Sequence, residues 1–143
     1  MIVSTSQPAR AVIIGAGAVG SHLAACLRHG SPLLIVDRDE RVRTAFTSRG
    51  IDAAPPLCPA DLHGLRHPGF FREGDIAVLT TSASVAALAA GSIPSWVPIV
   101  CLSNGLTPDL AAARASTLSY GVVEFAVSTR SPGDSNRAKA GWL

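Results

Sequence analysis

Apolar positions along this chain fall in short runs separated by stretches of helical spacing, and this rhythm predicts a layered α/β unit. Ala11 to Ile14 (AVII), Leu33 to Val36 (LLIV), Asp75 to Thr81 (DIAVLTT) and Pro98 to Leu102 (PIVCL) are too short for buried helices. Turn formers bound them, so they read as strands buried on both faces. Between them, the stretch from Gly15 to Gly30 and Arg38 to Arg49 carry helical spacing. Asp39 stands near the start of the second helix and Gly50 just beyond its end as a cap. Ile51 to Ala53 reads as a short third strand and Ser82 to Ala90 as the helix after the fourth. A sixth strand is expected through Val123 and Phe125, with Glu124 between them facing either the cleft or solvent. The segment from Ala54 to Gly74 breaks the rhythm with Pro55, Pro56, Pro59, Pro68, Gly64 and Gly69, and predicts a loop with at most one short helix, which Gly64 would interrupt.

Where the first strand meets the first helix, Gly15, Gly17 and Gly20 provide the G-x-G-x-x-G spacing. The first glycine permits a tight turn, the second lets a pyrophosphate reach the backbone, and the third allows the helix to pack closely on the strand. With Ala18 and Val19, they open a helix whose free N–H groups and positive dipole end suit an anion. About twenty residues on, Asp37 ends the second apolar run, placed to accept hydrogen bonds from the adenosine ribose. The fold expected is therefore a single Rossmann-type domain spanning 1–143, with a doubly wound, mainly parallel sheet. Ligands of such sheets bind beyond the carboxyl ends of the strands, which puts Thr80, Thr81, Ser82, Ser103, Asn104 and Gly105 along one crevice with the glycine turn. Thr81 or Ser82 could equally cap a helix, and Asn104-Gly105 could simply be a turn.

Composition narrows the function classes. The 143 residues suffice for one sizeable core, and 12 basic against 10 acidic residues give a net charge of +2. They are interspersed, with no basic stripe for a nucleic acid and no polybasic patch for a membrane. MIVSTSQPAR lacks the apolar core of a signal peptide, and no apolar run reaches bilayer length, so a cytosolic protein is expected. Cys26, Cys58 and Cys101 have no paired spacing and read as reduced small hydrophobes. His63 and His67 read as surface residues, and no metal centre is expected. His22 and His29 lie on the first helix, away from the phosphates. Hydrophobic residues make up 48% and charged ones 15%, with a mean hydropathy of +0.34. This apolar surplus implies a face covered by another copy, a partner or a further domain, and a homodimer is the expected form. Trp96 and Trp142 are read as packing or interface residues.

Taken in order, GAGAVGSHLA, IVDRDERV, DIAVLTTSASVAAL and VCLSNGL resemble the N-terminal domain of ketopantoate reductases (2-dehydropantoate 2-reductases), as does YGVVEFAVSTRSPG with Gly121 and the Pro132-Gly133 turn. The resemblance implies an enzyme that reduces a 2-oxo acid such as 2-dehydropantoate with NADP or NAD. It implies that Gly15, Gly17 and Gly20 hold the pyrophosphate, that Arg38 grips a 2′-phosphate, and that Asn104 lies against nicotinamide or substrate as the candidate catalytic residue. There are departures. Where the family carries a lysine after the fourth strand, this chain has Thr81, Ser82 and Ala83. Asp37 would repel the 2′-phosphate that Arg38 attracts, which leaves the cofactor choice open. The family's helical second domain, with its catalytic lysine, lies outside these residues, so the segment alone is expected to be a poor enzyme. Its only lysine, Lys139, sits in the polar stretch SNRAKAGWL, read as a frayed terminus or a strand fragment. IVDRDERVRTAF also resembles the NAD(H)-sensing domains of potassium-transport regulators, a second reading in which Asp37 selects the non-phosphorylated cofactor.

Overall fold

The computed structural model describes residues 8–103, 117–121, 123 and 127–137. Strands β1 (Ala11–Ile14), β2 (Leu33–Val36), β3 (Asp52–Ala53), β4 (Ile76–Leu79), β5 (Ile99–Cys101) and β6 (Leu118–Tyr120) form one sheet. Its order is β3-β2-β1-β4-β5-β6, and every pairing in it is parallel. Helices α1 (Ala18–Leu27), α2 (Glu40–Thr47) and α3 (Ala83–Ser92) connect them, and a 3-10 helix, η1 (Pro59–Arg66), precedes β4. This is the doubly wound Rossmann-like fold. From β1 the chain winds outward through β2 and β3, then returns to lay β4 on the other side of β1, so the connections diverge above the carboxyl ends of β1 and β4.

Both faces of the sheet are covered, as the unbroken apolar strands require. Val12, Ile14, Ala77, Leu79 and Ile99 pack with Ala86, Ala89 and Ala90 of α3 and with Leu62 and Leu65 of η1. Ile13, Ile35 and Val78 point the other way, toward Ala24 of α1 and Val42 and Phe46 of α2. Helix α3, ASVAALAAGS, has no charged residue even on its outer side. Leu88 there and Trp96 just beyond are 56% and 55% exposed, which locates part of the apolar surplus. Among the described residues no helix is long and apolar enough to cross a membrane.

Several expected boundaries move. Helix α2 starts at Glu40 rather than Arg38, because Asp39 is extended and caps it, its side chain accepting from the Arg41 N–H. The fourth strand is trimmed to Ile76–Leu79, and α3 begins after Ser82, which occupies the cap position without a side-chain cap bond. Gly64 does not interrupt the one short helix of its region but lies within η1, against Leu57. The sixth strand sits earlier than expected, at Leu118–Tyr120, where pairing with β5 rather than alternation sets its position. Val123 is not in it, and Glu124 and Phe125 lie outside the described residues. Of the two readings of the polar tail, its first part is strand: β7 (Val127–Ser131) and β8 (Asp134–Arg137) form an antiparallel hairpin around Pro132-Gly133. Lys139 and Trp142 lie outside the described residues. Only Cys101 is a buried small hydrophobe. Cys26 faces outward from α1, whose inner face is Gly20, Ser21 and Ala24, and Cys58 is exposed where the chain enters η1.

Candidate functional site: a cleft at the carboxyl ends of β1, β2 and β4

The glycine turn is built by contacts that exclude larger residues. Gly15 follows β1 at φ 95°, and a Cβ there would run into the Thr81 methyl group. At Gly20 a Cβ would overlap the Gly15 carbonyl oxygen, so the third glycine is what lets α1 fold back onto the turn. Thr80 reinforces it by donating its hydroxyl to the Gly15 and Ile14 carbonyls. Gly17 differs from both: a Cβ on it would meet nothing within 4 Å. Its space belongs to the cleft. Intrahelical bonding starts with the Ser21 N–H donating to the Gly17 carbonyl at 3.0 Å. That leaves the amides of Ala18, Val19 and Gly20 at the open end of α1. No acidic residue stands in the first turn of α1 to oppose an anion.

The cleft has a volume of about 330 Å³, at the lower end of the range for small-molecule sites. Gly15, Gly17, Asp37, Arg38, Thr80, Thr81 and Ser82, all expected from sequence, line it. Gly20 lies behind the turn, packed between Gly15 and Thr80. Ala18 and Val19 contribute through the helix end rather than the cleft wall. Ser103 stands beside β4, its hydroxyl 3.4 Å from the Leu79 carbonyl, outside the lining. Asn104, the candidate catalytic residue, and Gly105 lie outside the described residues. Pattern reading missed the apolar wall of Leu57, Pro59 and Leu62 opposite the glycine turn, and Val85 at the α3 end. Those first three residues come from the proline-rich stretch, which carries no periodicity that would mark them. The Leu57 N–H donating to the Asp37 carbonyl at 3.0 Å joins that stretch to β2.

Asp37 is held from two directions. One carboxylate oxygen accepts from the Ala16 N–H at 2.8 Å, inside the glycine turn, and the other from the Asp39 N–H at 2.9 Å. Its neighbour Arg38 is exposed on the rim. Asp39 is engaged by Arg41, whose guanidinium lies 2.8 Å from it. The Arg41 side chain first, then its backbone N–H, hold the Asp39 carboxyl below its ordinary value of 3.8. A further missed residue is Ser21, buried in α1, which donates its hydroxyl to the Ala16 carbonyl at 2.8 Å and so fixes the next peptide, Ala16–Gly17. His63 and His67 are exposed, and among the described residues no group of three potential ligands could hold a metal.

The arrangement suits a dinucleotide. An anion can approach the backbone at Gly17, a ribose can reach the fixed Asp37 carboxylate beside the turn, and Leu57, Pro59 and Leu62 of the lining offer an apolar wall for a flat ring.

The sequence matches the family model described as ketopantoate reductase PanE/ApbA over residues 11–143. No curated protein matches it. Among solved structures, a candidate 2-dehydropantoate 2-reductase from Enterococcus faecalis superposes with a TM-score of 0.66 at 19% identity, over 91% of this chain and 46% of that one. A candidate ketopantoate reductase from Ralstonia solanacearum MolK2 gives 0.65 at 21% identity, over 93% and 50%. A D-mandelate dehydrogenase in complex with NADH gives 0.63 at 20% identity, over 90% and 43%. At these identities the likeness is one of fold. The chain spans half or less of the length of each of these structures.

Proposed function

Because this chain belongs to the ketopantoate reductase family, we propose that it is the dinucleotide-binding domain of an oxidoreductase that reduces a 2-oxo acid, of the 2-dehydropantoate type, with a nicotinamide cofactor. The observation that carries the reading is the open space at Gly17, at the amide end of α1, in the same cleft as the Asp37 carboxylate that the Ala16 N–H holds. When bound, the cofactor supplies the hydride. The chain's own residues hold it: the backbone at Gly15 to Gly20 receives the pyrophosphate, Asp37 accepts from the ribose, and Leu57, Pro59 and Leu62 cover the base. Thr81 and Ser82 offer hydroxyls at the α3 end, where they can orient the nicotinamide half. The family match over 11–143 favours this over the stand-alone sensor suggested by IVDRDERVRTAF, since it takes in the later strands and the hairpin as well.

Gly17→Val is the direct test. A Cβ at this position meets nothing within 4 Å in the free protein, so the variant should fold, which circular dichroism checks. Calorimetric titration with NADH and NADPH should show binding weakened by at least about a hundredfold, the loss expected when a branched side chain occupies the pyrophosphate's path. A Gly17→Val variant that binds as the wild type does would remove the basis of the proposal.

A further inference from the structure

We infer that the cleft selects the non-phosphorylated cofactor, NAD(H), and that Asp37 rather than Arg38 makes the selection. The inference rests on the dinucleotide reading above and deepens it.

Three observations carry it. First, the Asp37 carboxylate is fixed in the cleft, with one oxygen on the Ala16 N–H at 2.8 Å and the other on the Asp39 N–H at 2.9 Å. A carboxylate held at both oxygens cannot swing away from an incoming phosphate. Each oxygen still has a lone pair free for a ribose hydroxyl. A 2′-phosphate would bring its charge against this fixed anion.

Second, the cations at the same corner are committed or solvated. Residues 37–41 (DRDER) carry three carboxylates against two guanidinium groups. Arg41 is bound to Asp39 through its Nε, 3.1 Å from each oxygen, and one Nη at 2.8 Å. Glu40 lies 3.7 Å from Arg43. Arg38 is exposed, and its field also falls on the Asp39 carboxylate. A long side chain in solvent can turn away at little cost, so it counts for less than a charge held by two backbone amides.

Third, the position after β4 has no cation. Thr80, Thr81 and Ser82 line the cleft there, which leaves Asp37 and Arg38 as the only charged residues of its lining among the described residues. The charges of Asp37 and Arg38 cancel, so the described lining carries no surplus positive charge to meet the additional charge of a phosphorylated ribose.

Titration of the full chain with NADH and NADPH, repeated on Asp37→Asn and Arg38→Ala, tests this. The asparagine keeps an acceptor for the Ala16 amide while removing the charge, and circular dichroism checks that each variant is folded. NADH is expected to bind about tenfold or more tightly than NADPH, a gap that closes in Asp37→Asn and persists in Arg38→Ala. Equal affinities, or tighter NADPH, in the wild type would overturn the inference and leave the dinucleotide reading standing. So would a preference for NADH that survives in Asp37→Asn. Binding of neither cofactor by the folded wild type would overturn both.

Discussion

Asp75 has no accessible surface, yet its two carboxylate oxygens are shared among N–H donors from Arg10 and Arg72. The Arg10 guanidinium is 2.7 Å away and only 8% exposed, and it also donates to the Phe70 carbonyl. Burial pushes the Asp75 carboxyl upward, but the Arg10 side chain and the Arg72 and Arg10 backbone amides outweigh it and hold the group below 3.8. Because the folded value is the lower one, the ion pair's contribution is fully present above the unfolded value and fades as pH falls through the folded one. Thermal midpoints measured in acid should therefore drop below about pH 4, and that limb should be shallower in Asp75→Asn. At neutral pH the same substitution leaves the Arg10 charge buried without its partner and should cost about 3–5 kcal/mol in denaturant unfolding. A loss under about 1 kcal/mol would show that solvent reaches this corner of the fold. None of this was visible in the sequence, where Asp75 reads as the polar start of a strand. Its partner stands 65 residues earlier, and only the pairing of β1 with β4 brings them together.

Element boundaries were most legible where local chemistry sets them. Apolar runs too short for helices placed β1 and β2 to the residue, because strands buried on both faces need every side chain apolar. The Pro132-Gly133 turn was expected from the family resemblance alone, and what it does was not. In the structure the tip of the β7–β8 hairpin seats on the end of α2: the Gly133 carbonyl accepts from the Arg49 guanidinium at 2.6 Å, and Arg49 lies over the Phe46 ring at 5.6 Å. Gly133 is buried at φ 75°, where a Cβ would come within 2.9 Å of the Ala45 Cβ. Gly133→Ala should therefore combine about 1–2 kcal/mol of left-handed backbone strain with loss of the seat. The expected result is a lower thermal midpoint together with faster amide exchange in Asp134–Arg137. A midpoint at or above that of the wild type would mean that the hairpin does not depend on this contact. The proline-rich stretch stayed opaque for the opposite reason. Its 3-10 helix buries only Leu62 and Leu65, too few to register as a period.

At the scale of the whole molecule the sheet has two ends with different tasks. The glycine turn, Asp37 and the hydroxyls of Thr80, Thr81 and Ser82 gather at the carboxyl ends of β1, β2 and β4, while the Arg10–Asp75 pair closes the amino ends of β1 and β4. Addition of NADH should slow amide exchange at Gly15 to Gly20, Asp37 to Arg38 and Thr80 to Ser82, and leave Arg10 and Asp75 unchanged. Protection concentrated at the Arg10–Asp75 end would place the ligand elsewhere. The sequence alone determined the α/β class, the parallel sheet, the glycine turn and the facing carboxylate, because each depends on hydrophobic period or on residues close together in the chain. Only the tertiary structure decided what covers the cleft opposite the glycines, which backbone amides hold Asp37, and where Arg10 and the Gly133 carbonyl find their partners. Apart from the Asp39 amide on Asp37, those contacts join residues far apart in sequence. Their geometry exists only once the strands are ordered β3-β2-β1-β4-β5-β6 and the loops between them are closed.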